Sequence, residues 1–166
     1  SEKKEVSRDR KTILYAGNIG RGQGLETVVP LLAKQLGNDF QFVIVGGGGT
    51  VEKLIEAVQS EKGYNVELVL PVSRTELLDY YRKADILFLH LNDVPAFRRV
   101  LPSKIFEYVA LGKPIVAGLS GYSAKFLREQ VPYANLFEPS DAEGAYTAVM
   151  NASKTFVPKY IVERFV

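Results

Sequence analysis

Apolar residues fall in short runs separated by amphipathic stretches, and the two alternate regularly along the chain. TILYAG (12–17) is an apolar run closed by glycine, which predicts a buried strand. GLETVVPLLAKQLGN (24–38) has helical spacing at Leu25, Val28, Val29, Leu32 and Leu36 and stops at Gly37-Asn38. Pro30 inside it predicts a kink, or a helix start near residue 29. FQFVIVGGGG (40–49) reads as a second strand ending in glycines, and TVEKLIEAVQSEKG (50–63) as a helix with Thr50 as its N-cap. VELVL (66–70) is a third strand, and SRTELLDYYRKA (73–84) a helix whose Ser73 and Glu76 match a capping box. DILFLHL (85–91), PIVAG (114–118) and NLFEP (135–139) complete the strands, and SKIFEYVALG (103–112), YSAKFLREQ (122–130) and DAEGAYTAVMNASK (141–154) the helices. Strands that are apolar throughout and alternate with helices predict a parallel sheet covered on both faces. The expected fold is α/β: a Rossmann-like, doubly wound parallel sheet of about six strands.

Composition narrows the class. With 46% hydrophobic and 24% charged residues the 166-residue chain is globular in type and of single-domain size. No run approaches the roughly 18 apolar residues of a membrane span, and the charged start SEKKEVSRDRKT lacks the apolar core of a signal peptide. The absence of cysteine excludes disulfides and thiolate metal sites and fits a cytoplasmic setting. Residues 1–12 carry five basic and three acidic side chains, and the remainder has 16 of each sign. A near-neutral body argues against a nucleic-acid surface, which needs a concentrated basic face. Residues 1–11 read as a tail or linker, 12–154 as the domain, and 155–166 as the start of a further helix, cut short.

In such a sheet the ligand lies beyond the carboxyl ends of the strands. The segments there are 17–24, 46–50, 71–74, 92–104, 118–123 and 138–141. The dinucleotide fingerprint G-x-G-x-x-G fails in both glycine clusters, because Leu25 and Glu52 stand where its last glycine is required. A P-loop fails too, since Gln23 follows Gly22. NAD binding and ATP hydrolysis are therefore disfavoured. The glycine loops can present N–H groups to phosphate or serve only as tight turns; two of them on one sheet edge favour phosphate.

LPSKIFEYVALGKPIV (101–116) is the most specific stretch. Ser103 reads as an N-cap, with Lys104 in the first helical turn, where a cation opposes the helix dipole unless an anion sits there. Arg98, Arg99 and Arg21 add positive charge nearby in the pattern. Lys104 and Glu107 share a helix face. They form either a surface ion pair, or a diphosphate-binding cation beside a carboxylate that accepts ribose hydroxyls. His90, between Leu89 and Leu91, reads as a structural histidine, and Tyr80, Tyr81 and Tyr108 read as packing residues.

Residues 12–152 resemble the C-terminal, donor-nucleotide half of retaining glycosyltransferases of the GT-B fold, family 4 (group 1), in the form found in bacterial surface-polysaccharide synthesis. LYAGNIGRGQGLE, FVIVGGGG, VELVLPVSRTELLDYYRKADILFL, PSKIFEYVALGKPIVA and EPSDAEG carry the resemblance. It implies that Glu107 is the second glutamate of the family's E-x7-E motif and binds ribose. It also implies that Ser103 and Lys104 lie beside the diphosphate, that Gly17, Asn18, Gly20 and Arg21 approach it, and that Pro71 and Val72 border the base. Two places depart from the pattern. Arg99 stands for the first motif glutamate, and Asn18 and Gln23 stand for the usual first-loop cations. Phosphate charge is then expected from Arg21, Arg98 or Arg99.

The implied reaction passes a sugar from a nucleoside diphosphate, UDP in preference to GDP, to an acceptor hydroxyl with retained configuration. No Asp-x-Asp occurs, and metal-independent stabilisation of the leaving group is expected. A sugar or lipid-linked acceptor would be held by a second, N-terminal domain, with peripheral membrane association of the longer enzyme, and the domain alone would bind donor without turnover. A sugar-nucleotide epimerase of the same fold and a non-catalytic nucleotide-binding module remain as alternatives.

Overall fold

The computed structural model describes residues 10–166, so most of the predicted tail lies outside the described residues. Six strands form one sheet: β1 (Lys11–Ala16), β2 (Phe40–Val45), β3 (Val66–Val69), β4 (Ile86–His90), β5 (Ile115–Gly118) and β6 (Asn135–Phe137). Their order is β3-β2-β1-β4-β5-β6, and every pairing is parallel. This is the doubly wound arrangement predicted from the alternation. Its strand order reverses between β1 and β4, where such folds open a crevice.

Side chains alternate across the sheet, as the strand period of two requires. Ile13, Tyr15, Phe42, Ile44 and Phe88 face one layer of helices, formed by α1 (Val29–Leu36), α2 (Val51–Ser60) and α6 (Ala142–Ala152). Leu14, Ala16, Val43, Leu87 and Leu89 face the other, formed by α3 (Arg74–Lys83), α4 (Lys104–Ala110) and α5 (Gly121–Gln130). The short α7 (Lys159–Val162) joins this second layer through buried Ile161. Both faces bury aliphatic side chains at about 1.5–3 kcal/mol each, which explains why the strands read as unbroken apolar runs.

The ends of the elements follow the pattern reading only in part. α1 starts at Val29, as Pro30 predicted, with the proline in the first helical turn, where its missing N–H is not needed; the residues before it form a separate 3-10 turn (Leu25–Thr27). β1 begins at Lys11, one residue earlier than expected. Thr50 precedes α2, but its hydroxyl donates to the Ile19 carbonyl at 3.0 Å instead of capping the helix. Ser103 has helical backbone angles, φ −60° and ψ −26°, and makes no side-chain cap. Ser73 does cap, accepting the Glu76 N–H at 3.3 Å, and Asp141 caps α6 by accepting Gly144 N–H at 3.0 Å.

Candidate functional site

A cleft of about 300 Å³ opens at the carboxyl ends of β1 and β2. Its walls are Ala16, Gly17 and Asn18 at the end of β1; Val45, Gly46 and Gly47 at the end of β2; Pro71 and Val72 after β3; and Leu77 from α3. Lys104 enters from α4. Four of the predicted binding residues, Gly17, Asn18, Val72 and Lys104, are thereby brought together on one surface.

The two glycine loops are zipped to each other. Gly17 N–H donates to Val45 O at 3.0 Å, Ile19 N–H to Gly47 O at 2.9 Å, and Thr50 N–H to Ile19 O at 3.0 Å. Gly46 has φ +154°, and a Cβ there would collide with the Gly17 carbonyl oxygen. That approach demands glycine. Gly20 N–H is taken by the Gln23 side chain at 3.0 Å. The donors of Gly17, Ile19 and Gly20 are thus spent inside the protein, so these glycines shape the wall and do not cradle a phosphate with those groups.

Charge at the cleft comes from Lys104. Its Nζ donates to Glu107 Oε2 at 3.1 Å and to the Tyr81 hydroxyl at 3.3 Å. The Arg74 guanidinium approaches the other oxygen, Oε1, at 4.0 Å. Lys104 and Glu107 are both half-buried, with 26% and 31% of their side chains exposed, so their pair is less screened than an exposed one. Tyr81 is buried and packs edge-on against Tyr108, with ring centroids 6.2 Å apart. Burial, and then the neighbouring Glu107 charge, raises the Tyr81 hydroxyl pKa, so Tyr81 stays a neutral partner for Lys104.

The remaining predicted residues lie beyond the cleft lining. Ser103 is exposed at the start of α4, and Arg21 is exposed in the first loop, its carbonyl accepting the Asn92 side-chain amide. Arg99 is exposed in the loop after β4. Its neighbour Arg98 is engaged by Asp93 at 3.1 Å, and Asp93 also accepts the Ser120 hydroxyl at 3.0 Å. The Arg98 hydrogen bond, reinforced by Ser120, holds the exposed Asp93 carboxyl below its ordinary pKa. His90 is fully buried with both ring nitrogens bonded, as expected of a structural histidine. Tyr81 and Tyr108 are in the core, also as expected.

Sequence reasoning missed Arg74, Leu77 and the polar role of Tyr81. Arg74 lay in a flagged loop, but only the fold shows that α3 packs beside α4. Tyr81 carried no signal that separates a packing tyrosine from one whose hydroxyl meets a lysine. Among the described residues no helix is long and apolar enough to cross a membrane.

Residues 1–154 match the family described as "Glycosyl transferases group 1". A relative from Escherichia coli (strain K12), "Putative colanic acid biosynthesis glycosyl transferase WcaI", is 30% identical over 158 residues, which cover 94% of this chain and 38% of that protein. The chain therefore spans well under half the length of that relative. Among solved structures, sucrose-phosphate synthase from Thermosynechococcus elongatus superposes with a TM-score of 0.73 at 25% identity, over 95% of this chain and 41% of that one. Anabaena HepE, solved with UDP and glucose, superposes with a TM-score of 0.69 at 18% identity, over 95% of this chain and 45% of that one, a likeness of fold.

Proposed function

The chain belongs to the glycosyl transferases group 1 family, and from that premise we propose that it is the donor-binding half of a retaining glycosyltransferase. The cleft takes a nucleoside diphosphate sugar, with UDP preferred. Pro71 and Val72 border the base, Lys104 meets the diphosphate, and Glu107 accepts the ribose hydroxyls. Gly17, Asn18 and Gly20 form the wall beside the phosphates, and Arg21, Ser103 and Arg99 approach from the rim. The observation that carries this reading is the single surface formed by Asn18, Val72 and Lys104, with Glu107 fixed 3.1 Å from the lysine.

The chemistry follows from those groups. A carboxylate is an acceptor with about four lone-pair sites, so Glu107 can hold ribose hydroxyls while it keeps Lys104. The bond between the anomeric carbon and the diphosphate oxygen breaks, the acceptor hydroxyl oxygen takes its place on the same face of the sugar, and the hydroxyl proton passes to the departing diphosphate oxygen. Negative charge builds on the leaving diphosphate, and Lys104, with the rim arginines, is placed to stabilise it without a metal. The acceptor, a sugar or lipid-linked sugar in polysaccharide or glycoconjugate synthesis, is held by a second domain on the cytoplasmic side of the membrane. The name of the Escherichia coli relative supports the polysaccharide role, and UDP in the HepE structure supports the donor.

Calorimetric titration with UDP, GDP, ADP and NAD, repeated on Glu107→Ala, tests the reading. It expects selective binding of one nucleoside diphosphate, weakened by the substitution. Equal affinity for all four, or an unchanged Glu107→Ala, overturns it.

A further inference from the structure

The hydrogen bonds of His90 fix its chemical form. Nδ1 lies 2.6 Å from the backbone carbonyl of Gln23, which can only accept, so Nδ1 carries the proton. Nε2 lies 2.9 Å from the backbone nitrogen of Ser140, which can only donate, so Nε2 carries none. The ring is the neutral Nδ1–H tautomer, stacked on Phe137 with centroids 5.9 Å apart. Burial lowers its pKa, which keeps the ring neutral near pH 7.

One bond farther on lies the cleft. The Gln23 side-chain oxygen, Oε1, accepts both the Asn18 side-chain amide at 3.1 Å and the Gly20 N–H at 3.0 Å. Asn18 is a wall residue of the cleft. A continuous chain of hydrogen bonds therefore runs from Ser140, in the turn before α6, through His90 and Gln23 to Asn18.

We propose that His90 is a positioning residue for the cleft: it fixes the Gln23 backbone, and the Gln23 side chain in turn fixes Asn18 and Gly20. Its consequence for ligand affinity rests on the donor-site reading above. An ordinary buried histidine would stabilise the fold and leave an exposed asparagine across the loop undisturbed. A positioning histidine transmits its loss to Asn18 through the Gln23 side chain, while Gly20 is also tied to residue 23 by the backbone bond from Gln23 N–H to Gly20 O at 3.2 Å.

Nuclear magnetic resonance of the 15N-labelled, ligand-free protein distinguishes the two. His90→Phe keeps an aromatic ring against Phe137 and removes both nitrogens. It is expected to shift the Asn18 side-chain amide and the Gly20 backbone amide, although neither touches residue 90. In a Gln23→Ala background the same substitution is expected to move the Asn18 signal no further, while Gly20 stays coupled through the backbone N–H of residue 23. His90→Asn, the variant to use if the phenylalanine fails to fold, can still donate to Gln23 O but is too short to reach Ser140. It should move the Ser140 amide and leave Asn18 in place. Unshifted Asn18 and Gly20 signals in His90→Phe, equal Asn18 shifts with and without the Gln23 side chain, or an Asn18 shift in His90→Asn as large as in Gln23→Ala would each overturn the proposal.

A parallel UDP titration is expected to show about a fivefold loss of affinity in His90→Phe and in Gln23→Ala, the worth of roughly one neutral hydrogen bond, with no further loss in the double variant. Wild-type protein that fails to bind UDP counts against the donor reading, and the amide shifts still decide the positioning role.

Discussion

The hydroxyl of Tyr108 lies 3.3 Å from the backbone nitrogen of Ala16 and accepts its N–H. The same hydroxyl donates to Phe88 O at 3.1 Å. β1 and β4 pair at Ile13–Ile86 and Leu14–Leu87. The next rung would join Ala16 to Phe88, and a helix side chain has been inserted into it. The sheet can therefore part at the switch point without leaving two buried backbone groups unpaired. Burial holds the Tyr108 pKa well above its ordinary value, so the hydroxyl keeps both functions at any physiological pH.

Tyr108→Phe preserves the shape and orphans both backbone groups. Its expected loss is about 1–3 kcal/mol, or roughly 3–10 °C in melting temperature for a domain of this size. Calorimetric melting checks it. An unchanged midpoint would mean that β1 and β4 close directly onto each other.

Gly46→Ala and Gly49→Ala form a contrasting pair. At Gly46 a Cβ meets the Gly17 carbonyl in a backbone conformation that other residues avoid, whereas at Gly49 it meets nothing within 4 Å. The first should destabilise by more than about 2 kcal/mol and distort the cleft wall. The second should be neutral or mildly stabilising by restricting the unfolded chain. Urea unfolding of the two variants beside the wild type separates these outcomes.

The layered fold was readable because buried parallel strands must be apolar on both faces, and FQFVIV and ILFLH show that directly. Helix termini were less readable. Thr50 and Ser103 are cap-type residues, yet the first spends its hydroxyl on Ile19 and the second is already helical. At Thr50 local propensity gives way to tertiary hydrogen bonding. At the site, Lys104 and Val72 were visible through motif and position relative to the strands. The chain from His90 through Gln23 to Asn18 was not, because its links lie 67 and 5 residues apart and pass through a backbone carbonyl, which no side-chain pattern records.

His90 should make stability pH-dependent. Its folded pKa lies below the ordinary value of 6.5, chiefly through burial, opposed by the Gln23 carbonyl and the Glu26 charge. Below that ordinary value the unfolded chain takes up a proton that the folded chain resists. The contribution is therefore intact above about pH 6.5 and is lost as pH falls toward the folded pKa, at up to about 1.4 kcal/mol per pH unit. The measurement is the drop in urea stability between pH 7.5 and pH 5.5, in wild type and in His90→Asn. The wild type should lose more, since carboxylate contributions largely cancel in the comparison. Equal losses would mean that the ring takes its proton as readily folded as unfolded.

Lys104 and Glu107 should separate by ligand. Lys104 carries the positive charge that lines the cleft, so Lys104→Ala removes one charge-assisted bond to a phosphate, worth about 1.5–3 kcal/mol. UDP affinity should fall by roughly ten- to a hundredfold, while uridine, which has no phosphate, should bind almost as before. Glu107 holds hydroxyls in the proposed complex, so Glu107→Gln should weaken UDP and uridine by similar factors. Arg74 would still neighbour residue 107, 4.0 Å away across the rim in the parent structure, so the variant stays locally packed. Competition titrations with the two ligands give the four affinities needed. If Lys104→Ala weakens uridine as much as UDP, the lysine acts by holding Glu107, and the phosphate charge must come from the rim arginines.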